Sequence, residues 1–81
     1  MPVVFRYENL TFFFYSNEGD PREPVHIHVR AGGAIAKVWL EPLIGVAESR
    51  GFNSRELSAI LRLVAERRHL IEKTWHEYFG N

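Results

Sequence analysis

Val25 to Leu40, VHIHVRAGGAIAKVWL, decides the fold: two short alternating runs meet at Gly32-Gly33, the composition of a β-hairpin closed by a tight glycine turn. With Ala31 paired to Ala34, the two-residue period of a strand sorts the side chains onto two faces. Val25, Ile27, Val29, Ala36, Val38 and Leu40 fall on one, and His26, His28, Arg30, Ile35, Lys37 and Trp39 on the other. The first face is uniformly apolar and has to be buried. The second gathers two imidazoles, two cations and an indole within about two strand widths, and function is to be sought there.

Outward from this hairpin, Val3 to Tyr7 and Leu10 to Ser16 are β-rich runs joined by Glu8-Asn9, which predicts a first hairpin. Glutamate fits poorly where a tight turn needs positive φ, so the turn type stays open. With Tyr7 opposite Leu10, the residues Val3, Phe5, Tyr7, Leu10, Phe12 and Phe14 share the core face. Val4, Arg6, Thr11, Phe13 and Tyr15 then extend the polar and aromatic face. TFFFY is bulky on both sides, which places its strand inside a meander of order 1-2-3-4 with the first and fourth strands as edges. Residues 16–24, SNEGDPREP, have the composition of a loop long enough to border a site.

Glu41-Pro42 ends the fourth strand. Apolar residues at Leu43, Ile44, Val46 and Ala47 suit one or two helical turns closed by Gly51. Asn53-Ser54-Arg55-Glu56 has the spacing of a capping box, and Leu57, Ile60, Leu61, Val64, Ile71, Trp75, Tyr78 and Phe79 recur at three- and four-residue steps. That stripe predicts one helix of about 25 residues, some 38 Å long, although it weakens at Arg67-Arg68-His69, where a bend or a break is allowed. The expected architecture is α+β in two layers: a four-stranded antiparallel sheet of two hairpins, covered on one face by a long C-terminal helix with a short helix before it. Trp75, Tyr78 and Phe79 are expected to anchor the core and His76 to stay exposed.

The 81 residues make one domain, rich enough in apolar side chains (46%) to exclude disorder. Ten basic residues balance ten acidic ones, so net charge steers the chain toward neither nucleic acid nor membrane. There is no cysteine, hence no disulfide and no thiolate chemistry. No apolar run approaches the ~20 residues of a membrane span and no signal pattern opens the chain, so a cytoplasmic location is expected.

His26 and His28, two apart on one strand, project to the same side with Cα atoms roughly 6.5–7 Å apart. Such a pair can share a metal or flank a substrate as acid and base. A metal needs a third ligand, and only Glu18, Asp20, Glu23 or Glu41 could offer one; without a second spaced His pair, no metal or other cofactor is expected. Paired imidazoles also suit metal-free RNA cleavage, with a cation steadying the phosphorane. His26, His28 and Lys37 are the candidate catalytic group, Lys37 lying opposite His28. The plain alternative is a solvated outer face on which such residues are ordinary.

Against that alternative stand Phe13, Tyr15 and Trp39, large rings left open to water if helix covers only one side of the sheet. With Arg6 and Arg30 they form a candidate binding platform, rings for base faces and cations for phosphates. Trp, Tyr and Arg also favour a protein interface, either a homo-oligomer or a cognate partner. On the helix, Arg55, Arg62, Arg67, Arg68 and Lys73 interleave with glutamates, the pattern of a solvated, ion-paired face. The capped segment imitates a helix-turn-helix, but the neutral charge and lack of a third helix argue against operator binding.

The blocks FFFYSNEGDPREPVHIHV, AKVWLEP, SRGFNSREL and WHEYFG together resemble the bacterial domain-of-unknown-function family numbered 4160. There a strand ending in an aromatic-Ser-Asn-Glu unit leads through a proline into a His-x-His-Val strand, as Tyr15-Ser16-Asn17-Glu18 and Pro24-Val25-His26-Ile27-His28-Val29 do here. The family has no agreed activity. The resemblance implies a gene placed beside a second small one, of the family numbered 2442, in an arrangement that looks like a toxin–antitoxin pair. It makes His26, His28 and Lys37 the positions to inherit a role, and a cognate partner the explanation for uncovered aromatics.

Overall fold

Among the described residues, five antiparallel strands lie side by side in chain order: β1 (Val3–Tyr7), β2 (Leu10–Phe13), β3 (His26–Ala31), β4 (Ala34–Trp39) and β5 (Gly45–Arg50). Two helices, α1 (Ser54–Glu66) and α2 (Arg68–Phe79), cover one face, α1 packing over β5 and α2 over β1. The structure is a computed structural model describing residues 2–17 and 23–80. Both expected turn pairings are present, Ala31 opposite Ala34 and Tyr7 opposite Leu10. Glu8 adopts φ 54° in its turn, the left-handed conformation that a side chain disfavours.

The core follows from alternation. Phe12, Phe14, Val25, Ile27, Val29, Ala36, Val38 and Leu40 point from the sheet into Ile60, Leu63 and Val64 of α1 and Ile71 and Trp75 of α2. The capping box forms, with the Glu56 amide donating to Asn53 Oδ1 and the Asn53 amide donating to Glu56 Oε1, both at 2.8 Å. Phe79 packs against the core and His76 is exposed, whereas Tyr78, expected as an anchor, faces solvent.

Three expectations are corrected. The segment predicted as a short helix is strand β5, so the sheet has five strands and β4 is interior. Trp39 pairs with Gly45, Val38 with Val46, Lys37 with Glu48 and Ile35 with Arg50, leaving Ala47 as the extra residue of a bulge. One or two helical turns satisfy few backbone groups, whereas lying along β4 satisfies a whole row of amides and carbonyls, so the ladder wins over local propensity.

The single long helix is two helices meeting at Arg67 (φ −105°, ψ 16°), where the apolar stripe lapses. A straight rod of about 38 Å would overrun a body whose longest extent is 33 Å, and two segments follow the sheet surface instead. At the junction the Arg67 guanidinium sits 4.9 Å from the centre of the Phe5 ring, tying the bend to β1.

The third correction concerns β1. Val3 pairs with Phe13 but Phe5 with Phe12, so the register slips at Val4. That slip turns Val4 onto the core and exposes Val3, the reverse of the expected order.

Gly51 closes β5 rather than a helix. Its φ is +94°, and a Cβ there would stand 2.9 Å from both Cα and Cβ of Ala34. Gly51→Ala is therefore expected to cost roughly 1–3 kcal/mol of stability, read as a lowered urea midpoint with unchanged slope.

Candidate functional site

The sheet face turned away from the helices carries the predicted site residues in rows set by the strand register. One row runs Phe13, His28, Lys37, Glu48, and the row beside it Arg6, Thr11, Arg30, Ile35, Arg50. His26 lies opposite Trp39 at the end of the β3–β4 ladder. The structure thus brings His26 and His28 to one side, ring centres 5.2 Å apart, with Lys37 directly across from His28 as expected.

Accessibility differs from expectation. His26 is 0% exposed and His28 8%, and Phe13, expected to lie open, is 0% exposed. The side chains of this face cover one another. The Phe13 ring meets His28 at 5.6 Å and the edge of Tyr15 at 5.2 Å, and the Arg30 guanidinium sits 5.1 Å from its centre. Lys37 Nζ lies 4.4 Å from the centre of the half-buried Trp39 ring. Cation–π and edge contacts of this kind shield rings without a second layer of helix.

His26 is enclosed by three rings, Trp39 at 5.4 Å, Trp75 of α2 at 5.0 Å and His28. The last β2–β3 pair is Phe13 with His28, and beyond it the strands part. Trp75 enters there, touching Phe14 on one side and His26 on the other. His26 Nδ1 lies 2.9 Å from the Pro24 carbonyl oxygen, which only accepts, so in the neutral ring the proton is assigned to Nδ1 and the lone pair to Nε2. Glu23 Oε1 stands 3.9 Å from the same nitrogen and accepts from Lys37 Nζ at 3.0 Å. Lys37 is thus held by Glu23 and flanked by Glu48 rather than presented as a lone cation.

His28 is the imidazole that reaches a surface. With Tyr15, Lys37, Glu48, Ser49 and Arg50 it lines an open groove of about 460 Å³, and Tyr15, 41% exposed, meets His28 edge-on at 4.5 Å. Arg6 and Arg30 are exposed on the neighbouring row. Glu48, Ser49 and Arg50 are absent from the expected site because their segment was assigned to a helix. GVAESR carries no period of two, because the bulge at Ala47 sets Val46 and Glu48 on opposite faces, so the sequence offered no signal for them.

Among the described residues no group of three or more His, Cys, Asp or Glu converges as metal ligands. Of the carboxylates named for that role, Glu18 and Asp20 lie outside the described residues. Also among the described residues, no helix is long and apolar enough to cross a membrane. A sequence model of the family described as Domain of unknown function (DUF4160) matches residues 9–76. No curated protein and no solved structure matches the chain.

Proposed function

The chain belongs to the DUF4160 family, a domain of unknown function, and on that premise we propose that it binds RNA on the sheet face turned away from its helices. The observation that carries this is the groove in which the exposed Tyr15 ring and the edge of His28 stand beside Lys37 and Arg50. A part-exposed ring offers surface on which an unpaired base stacks, and the exposed Arg50 at the rim donates to a phosphate, while Lys37 stays held by Glu23. The reading is binding rather than cleavage. General acid–base catalysis needs both imidazoles within hydrogen-bond reach of the substrate, and His26 is enclosed by rings with Nδ1 committed to Pro24. We place the protein in the cytoplasm, in a two-gene module of toxin–antitoxin type beside a member of the family numbered 2442.

One observation favours a protein-interaction role instead, through a second copy or a cognate partner: β5 is an edge strand with Leu43, 80% exposed, just before it. Fluorescence anisotropy with a short labelled single-stranded RNA separates the two. Tyr15→Ala is expected to weaken binding about tenfold, the loss of one stacked base. No RNA binding, together with a dimer on gel filtration that Leu43→Glu dissociates, would overturn the RNA reading in favour of the interface.

A further inference from the structure

Among the described residues the sheet ends in two edge strands, β1 and β5. β5 is regular over Glu48, Ser49 and Arg50: the bulge at Ala47 interrupts it on one side, and Gly51, at φ +94°, turns the chain away on the other. Its edge is open. Every residue from Val46 to Arg50 is exposed, Ser49 included, although Ser49 pairs with the core residue Ala36 and so lies on the helix side. α1 therefore sits inboard of β5 and leaves the outer row of strand amides and carbonyls uncovered.

Within that short segment an acid and a base stand two residues apart. Glu48 pairs with Lys37 and Arg50 with Ile35, which puts both on the face away from the helices. Both are exposed, and among the described residues neither makes an ion pair within the chain. An antiparallel copy of the same segment centred on Ser49 sets Glu48 opposite Arg50 and Arg50 opposite Glu48, so a two-fold axis makes two opposite-charge pairs from one acid and one base. Centring on Glu48 or on Arg50 would instead set like charges against each other. β1 carries a single charge, Arg6, and pairing β1 with itself offers no opposite charge to match it.

From this complementarity we infer that β5 pairs antiparallel with β5 of a second copy of this chain, centred on Ser49, and joins two five-stranded sheets into one. The two-fold axis stands perpendicular to the sheet, so the outer faces of both copies lie on the same side. Glu48, Ser49 and Arg50 also line the groove that holds His28, and each copy's groove therefore adjoins that of the other across the axis. The inference stands apart from the RNA-binding reading, because the pairing needs no RNA. A ladder of so few residues makes a small interface, and the dimer is concentration-dependent.

Sedimentation velocity over a concentration series, on the full chain without RNA, is the test. The wild type is expected to move from one to two chain masses as concentration rises. Glu48→Arg and Arg50→Glu each set like charges across the axis twice, and each is expected to weaken the dimer at least about tenfold. Mixed together, the two variants match opposite charges again and are expected to recover the dimer. Glu48→Gln, which puts no cation beside Lys37, is expected to weaken the dimer by less, and thermal melts check that every variant is folded. Leu43 lies before β5 and outside the paired segment, so Leu43→Glu is expected to leave the dimer intact. A wild type that stays at one chain mass at its highest soluble concentration would overturn the inference, and if that monomer binds RNA the groove reading survives. A dimer that both charge reversals leave unchanged, or that Leu43→Glu alone dissociates, would also overturn it.

Discussion

Trp75→Ala is expected to cost about 3–5 kcal/mol, the range for removing a large buried ring, from a domain whose whole stability is of order 5–15 kcal/mol. Trp75 is 1% exposed and is the largest fully buried side chain. Its ring meets Phe14 at 5.3 Å, Phe79 at 4.5 Å and His26 at 5.0 Å, and so joins α2 to the ends of β2 and β3 where their ladder has stopped. Without it nothing fills the gap between the parting strands, and the cavity cannot collapse onto a rigid sheet edge. The melting temperature should fall by more than about 10 °C, followed by circular dichroism. Trp75→Phe should recover part of the loss. A melting temperature within a few degrees of wild type would show that α2 does not close the core in this way.

The second large effect concerns His26 and separates its two readings. As a buried packing residue, His26→Ala is expected to lose about 2–4 kcal/mol, through the cavity left by the ring and through the Pro24 carbonyl left without its donor. RNA affinity, measured well below the melting transition, should stay within about twofold, since a uniform contact has not been removed. A folded, stable His26→Ala chain whose action on RNA is abolished would instead give His26 a direct chemical role. Because His26 and Trp75 touch, the double alanine variant should lose less than the two single losses added together.

Leu43, Ile44, Val46 and Ala47 follow a helical spacing, and the bulge at Ala47 leaves GVAESR without the alternation of a strand, so the decision fell to the open edge of β4, which lies outside the segment itself. The slip at Val4 likewise depends on how β1 meets β2 along its length, not on VVFRY itself. The helix break at Arg67 was legible as a weakening of the stripe. Its necessity came from the extent of the sheet that the helices must follow.

The candidate site divides in the same way. His26, His28, Lys37, Arg30 and Trp39 share one face, as a period of two predicts, because alternation follows from the extended backbone wherever no bulge interrupts the ladder, and none interrupts β3 and β4 where they pair with each other. Burial is not such a property. The enclosure of His26 by Trp75, the ion pair of Lys37 with Glu23, and the arrival of Arg50 beside His28 in the groove each bring together residues distant in the chain. From its own residues the chain determines which side of the sheet each side chain of the β3–β4 hairpin takes, whereas the bulges at Val4 and Ala47 reset the sides of β1 and β5 through their neighbours. Which of them water and a ligand can reach was decided only when the strands and helices packed, since exposure depends on what arrives from elsewhere in the chain to cover them.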